Sequence, residues 1–210
     1  MPIDPHLLAL FTVTTIVAMI TPGPDMLFVL GCGMRGGPRA GLLATAGVAT
    51  SEAVHVAVAA AGLAALFEAV PVAFTVVRIA GAAYLIYLGV QAIRNRHDSP
   101  LEAAVGSGGM SGRRAYLSGL MTNLLNPKMV TFTIAFLPQF INPSLGQVWL
   151  QFAILGAVLI ALEFLVDGAV GVLAGRIGGW LRHRRAARRR IEVATGGLFV
   201  GLGVKLALDR

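Results

Sequence analysis

No α-helix runs unbroken through Thr21-Pro22-Gly23-Pro24-Asp25, yet these residues sit inside an apolar segment covering roughly 7–34. Each proline removes a backbone donor and clashes with the preceding turn, and Gly23 adds backbone freedom. In lipid every unsatisfied backbone group costs several kcal/mol, so broken backbone at membrane depth belongs where protein or a polar cavity covers it. An ionisable Asp25 directly after such a break marks a candidate functional site. The bland alternative is a structural kink that Asp25 merely caps.

Composition supports a membrane setting. The chain is 56% hydrophobic and only 13% charged, with a mean hydropathy of +0.77; soluble domains carry about 25% charged residues. Its apolar residues come in runs long enough to span a bilayer, roughly 17–25 residues each. The net charge of +7 would suit nucleic acid, but the arginines collect in the gaps between apolar runs, as in cytoplasmic loops of membrane proteins. Nucleic acid is therefore not an expected partner, whereas the lipid bilayer is. Cys32 is the only cysteine, so no internal disulfide forms. The first residues lack the basic start of a cleaved signal peptide, and the first apolar segment is expected to be retained.

Length and hydropathy predict an all-α integral membrane protein with about six transmembrane helices. They fall near 7–34, 40–67, 70–93, 116–140, 148–174 and 191–208, the first broken at Pro22 and Pro24 and the fourth near Pro127. The gaps alternate in charge. The first holds Arg35 and Arg39, the third Arg94, Arg96, Arg113 and Arg114, and the fifth a run of arginines from Arg176 to Arg190; the second and fourth hold no lysine or arginine. The positive-inside rule then puts the basic loops in the cytoplasm and both termini outside. The arginine run reads as a topology anchor that also meets anionic headgroups.

The chain divides into a three-helix half at 1–93, a linker loop at 94–115 rich in Gly and Ser, and a second half at 116–210, all in one transmembrane domain. Both breaks lie in the first helix of a half, and an acidic residue lies in the second helix of each, Glu52 and Glu163. The first and fourth helices run in opposite directions, so the halves are inverted. Inverted halves with paired broken helices point to a secondary transporter with its substrate between the breaks.

Ile20-Thr21-Pro22-Gly23-Pro24-Asp25, Gly36-Gly37-Pro38-Arg39-Ala40-Gly41, Asn123-Leu124-Leu125-Asn126-Pro127-Lys128 and Phe136-Leu137-Pro138-Gln139-Phe140 together resemble the LysE/RhtB family of amino-acid exporters, as does Gly81-Ala82-Ala83-Tyr84-Leu85-Ile86-Tyr87-Leu88-Gly89. The likeness covers essentially the whole chain. It implies export of amino acids or close derivatives across the inner membrane, driven by the proton gradient. No cofactor is implied, and nothing here selects one amino acid.

Such an exporter needs partners for an α-ammonium and an α-carboxylate. Asp25 and Lys128 supply the two signs, one at each break, for the ammonium and the carboxylate respectively. Backbone groups freed at Thr21, Gly23, Asn123 and Asn126 would complete the site, with Pro22, Pro24 and Pro127 also counted among the substrate-binding residues. An Asp25–Lys128 ion pair that only locks the halves together is the structural alternative. For proton coupling the candidates are Glu52, in mid-helix with His55 one turn on, and Glu163 with Asp167, which share a helix face at i,i+4. Burial disfavours the charged form of a carboxyl, which suits a proton carrier.

Two other functional classes find less support in the sequence. A divalent metal cation exporter needs clustered carboxylates, imidazoles or thiolates; Cys32 and His55 are scattered and Asp25 is followed by no second acidic residue, so no metal ligands are assigned. A membrane hydrolase using Ser51 and His55 lacks a nucleophile elbow, so no catalytic residues are assigned. Gly171 with Gly175, and Gly197 with Gly201, form GxxxG steps suited to close helix contact inside one chain or across a homodimer.

Overall fold

Asp4 begins the helical structure by accepting two hydrogen bonds at Oδ1, from the backbone N–H of His6 at 2.8 Å and of Leu7 at 3.3 Å. This satisfies two donors that a helix start leaves orphaned, and α1 (Pro5–Ile20) follows. The structure, a computed structural model, describes residues 3–20, 24–94, 109–177 and 185–208, and the regular structure among them is entirely helical. Thr21, Pro22 and Gly23, at the first expected break, lie outside the described residues. Regular structure resumes at α2 (Pro24–Ala69), where the missing N–H of Pro24 falls on a first-turn group that has no helical acceptor.

A straight helix of 46 residues would be about 69 Å long, over twice the roughly 30 Å of a hydrocarbon core. α2 is not straight. Gly37 takes φ +74° and ψ −176°, a conformation that side-chain-bearing residues rarely adopt, and Pro38 then starts the second segment. The expected loop between the first two spans is thus a kink at a single residue, flanked by Arg35 and Arg39.

Then come α3 (Pro71–Arg94), α4 (Gly112–Leu124) and α5 (Pro127–Phe136), 3₁₀ turns at Leu137–Phe140 and Pro143–Leu145, α6 (Val148–Val172) and α7 (Arg185–Leu208). The fourth expected span is therefore three pieces. Pro127 cannot continue α4, so the helix stops at Leu124 and restarts. The last helix begins before the expected 191, taking in the backbone of Arg185 and Arg188 to Arg190, while Arg182 and Arg184 lie outside the described residues.

α2 packs between α4 and α6, α3 packs on α7 and α5, and α1 packs on α6. Where α1, α5, the first 3₁₀ turn and α6 meet, Phe11, Phe136 and Phe140 form an aromatic cluster with centroids 4.9–5.5 Å apart, and Phe152 and Leu155 are fully buried in the same core. The polarity is inverted relative to a water-soluble bundle. Val58, Val76 and Leu165 are each more than half exposed, while Glu52, Gln151, Glu163 and Asp167 are buried. Such a surface suits a lipid solvent. Three helical stretches, Asp25–Leu63, Val72–Gln91 and Val148–Val172, are long and apolar enough to cross a membrane, with shorter apolar helices at Pro5–Met19 and Gly196–Lys205. The chain is an all-helical membrane protein.

Small residues set the helix contacts, but not quite at the expected places. A Cβ on Gly171 would meet the backbone of Gly41, and one on Gly196 that of Gly89. Gly175, Gly197 and Gly201 face open space. The GxxxG spacing thus located the right helices and only one of the contacting residues, because the contact faces are set by how α2 and α3 approach.

Gln151 ties the turn before α6 to its first helical turns. Its Oε1 accepts from the Asn142 N–H at 2.9 Å, and its Nε2 donates to the carbonyls of Asn142 at 2.9 Å and Gly146 at 2.8 Å. Gln151→Leu leaves these buried groups without partners, at about 1–3 kcal/mol for each one that water does not reach. We expect a lower melting temperature of the detergent-solubilised protein, and Gln151→Glu should lower it too, because it turns the donor shared by two carbonyls into an acceptor.

Candidate functional site

The site grows from the beginning of α2. Asp25 stands in its first turn, where the positive end of the helix dipole favours a carboxylate. α6, packed against α2, carries Glu163 and Asp167 one turn apart on one face, both buried. One carboxylate oxygen from each of Asp25, Glu163 and Asp167 lies within 4.8 Å of the other two. Among the described residues this is the one group of three acidic, imidazole or thiol side chains close enough to share a metal ion. The α2–α6 contact gathers these three although they are remote in sequence, while Cys32 and His55 are not part of the group.

Glu52 lies deeper in α2, 1% exposed. Its Oε1 accepts from the hydroxyl of Thr133 on α5 at 2.8 Å. Its Oε2 stands 3.5 Å from His55 Nδ1, an ion-pair distance beyond good hydrogen-bond geometry. His55 Nε2 in turn lies 3.4 Å from the carbonyl oxygen of Leu124 at the end of α4. Glu52 therefore links α2 to both sides of the α4–α5 break. Sequence reasoning missed Thr133, whose only signal was a hydroxyl in an apolar helix near the break. The imidazole of His55 is turned towards Glu52 and Leu124, and Ser51 Oγ has no hydrogen-bond partner among the described residues, so the two do not form a nucleophile–base pair.

At the second break the backbone is largely satisfied within itself. The Asn123 carbonyl accepts from Asn126 N–H at 3.0 Å, and the Asn126 carbonyl accepts from Met129 at 3.1 Å and Val130 at 3.2 Å. The expected freed carbonyls are thus already engaged, since α5 restarts at once and uses Asn126 as its cap. What the break does offer is the buried Asn123 side chain. Its Nδ2 donates to the Val48 carbonyl at 3.4 Å, and its Oδ1 has no partner among the described residues. The backbone of Pro127 and Lys128 opens α5, but their side chains lie outside the described residues, as does that of Pro24. The structure thus gathers Asp25 with Glu163 and Asp167, places Glu52 across to α5, and leaves Thr21, Pro22, Gly23 and the Lys128 ammonium undescribed.

Chemically, this is an acidic cluster with two of its three carboxyls buried, at the helix start that follows a proline-rich segment, beside a fourth carboxyl held by a hydroxyl and an imidazole. It can attract a cation or exchange protons. Residues 16–210 match the family described as LysE type translocator. The chain is similar to a membrane protein of undetermined function from Vibrio cholerae, 31% identical over 97% of this chain and 98% of the relative. It is similar also to the homoserine/homoserine lactone efflux protein of Salmonella typhi, 30% identical over 95% of each chain, and to the leucine efflux protein of an Enterobacter species, 31% identical over 94% of this chain and 93% of the relative. No solved structure matches the chain. With the match running from within α1 to the C-terminus, and relatives of nearly equal length aligned almost end to end, the chain belongs to the LysE type translocators, a family of membrane transporters.

Proposed function

We propose that this protein exports amino acids or close derivatives across the inner, cytoplasmic membrane in exchange for protons. The observation that carries the reading is the convergence of Asp25 with Glu163 and Asp167, in a chain whose relatives are named for homoserine, homoserine lactone and leucine efflux. Asp25 receives the substrate ammonium next to the first break. Lys128, at the second break, receives the carboxylate, with Asn123, Asn126 and Pro127 shaping that side and Thr21, Pro22, Gly23 and Pro24 the other. Glu163, Asp167 and Glu52 carry the coupling protons. Ammonium and proton then compete for one set of carboxylates, which is what exchange requires. In this arrangement about six spans form two inverted halves, 1–93 and 116–210, joined by 94–115, with basic loops inside and both termini outside. A proton motive force of about 150–180 mV is worth about 3.5–4 kcal/mol per charge, enough for one proton to sustain a substrate gradient of several hundredfold.

The test is efflux from cells that produce the protein and are preloaded with labelled homoserine, threonine, leucine, cysteine, arginine and lysine. One or a few of these leave faster than from control cells, and a protonophore removes the difference. Equal efflux of all six with membrane-inserted protein overturns the amino-acid reading. Faster efflux that persists without a proton gradient overturns the coupling alone.

A further inference from the structure

We infer that Asp25, Glu163 and Asp167 form a binding site for a hard divalent cation of about the size of Ca²⁺, between the start of α2 and the middle of α6. Their grouping is the first ground: one oxygen from each of the three carboxylates falls within 4.8 Å of the others. A separate ground is that Glu163 and Asp167, each 4% exposed, both keep a carboxylate oxygen, Oε2 and Oδ2, that meets no hydrogen-bond donor among the described residues. Buried polar oxygens nearly always have a partner, so two such atoms on carboxylates of one cluster point to a ligand that supplies positive charge.

Donor type and size select the ion. Three carboxylates offer only oxygen, which favours hard cations over zinc or copper. Mg²⁺ demands near-ideal octahedral geometry and gives up its water reluctantly, whereas Ca²⁺ takes irregular sets of oxygens, so three side chains drawn from two helices favour the larger ion. A divalent charge offsets more of the cluster's repulsion than Na⁺ does. Glu52 is not a ligand here, because Thr133 holds its Oε1 and His55 stands beside its Oε2. The cluster is the one that the proposed function gives to the substrate ammonium and the coupling protons, so bound Ca²⁺ excludes both until it leaves.

The experiment titrates the purified full-length protein in detergent with CaCl₂ alone, by calorimetry, and repeats it with MgCl₂ and NaCl. We expect one Ca²⁺ per chain and binding of Mg²⁺ at least tenfold weaker. Glu163→Gln and Asp167→Asn should each weaken Ca²⁺ at least tenfold, and Glu52→Gln much less. No saturable binding by about 5 mM, above the range in which calcium sites work, overturns the inference, as does unchanged affinity in both cluster variants. A measurement on the wild type needs no variant to fold: Ca²⁺ should protect Glu163 and Asp167 from a hydrophobic carbodiimide, read by peptide mass, and equal labelling with and without Ca²⁺ overturns the site. Amino-acid efflux by a protein that fails these tests leaves the exporter reading standing. Calcium binding by one that exports no amino acid does the reverse.

Discussion

Cells producing Asp25→Asn should export substrate at no more than about a tenth of the wild-type initial rate, at matched amounts of membrane-inserted protein. Asparagine keeps the shape of the side chain but neither attracts an ammonium nor exchanges a proton. A hydrogen bond to a charged group contributes about 1.5–3 kcal/mol, and about 1.4 kcal/mol already corresponds to tenfold. The loss should be specific to transport. Asp25 is only partly buried and opens α2, so its replacement costs a helix-end interaction of about 0.3–1 kcal/mol. Asp4→Asn is the control: it alters a capping residue of another helix, away from the acidic cluster, and should leave efflux near wild type. Wild-type efflux in Asp25→Asn would move the ammonium site away from the cluster.

Gly171→Val should do the larger structural damage. A Cβ there would lie 2.8 Å from the carbonyl carbon and 3.0 Å from the Cα of Gly41, and 3.0 Å from Val29 Cγ1. Two of these three are backbone atoms that cannot rotate away, so α2 and α6 must separate. Overpacking costs about 1–3 kcal/mol even where side chains adjust, and here we expect at least about 3 kcal/mol, seen as a large drop in melting temperature and in the yield of monodisperse protein. Efflux should fall with it, because Asp25 rides on α2 while Glu163 and Asp167 ride on α6. Gly175→Val, where a Cβ meets nothing within 4 Å, should be close to wild type. Equal stability of the two variants would show that α2 and α6 do not meet at Gly171.

Local chemistry fixed much of this protein in advance. Apolar length predicted helices at nearly the observed places, with α3 and α6 within two residues of expectation. Pro127 predicted the α4–α5 break, since a missing N–H acts wherever it falls. The i,i+4 spacing put Glu163 and Asp167 on one face, because helical periodicity is a property of neighbours along the chain. Asp25 and Glu52 stood out as isolated charges in apolar runs.

What chain order could not convey is which of these local features meet. The approach of α2 to α6 is set by Gly171 against Gly41, and the same contact that excludes a methyl group also carries Asp25 to Glu163 and Asp167. The spacing of Gly197 and Gly201 looked equivalent and makes no such contact, since small residues permit close approach without selecting a partner. Thr133 became a partner of Glu52 only because α5 turns it towards α2. Sequence thus determined the helices, their breaks and the residues with chemistry to offer. Tertiary packing decided that three of the carboxylates, two of them buried, share one place, because only the geometry between helices brings like charges that close.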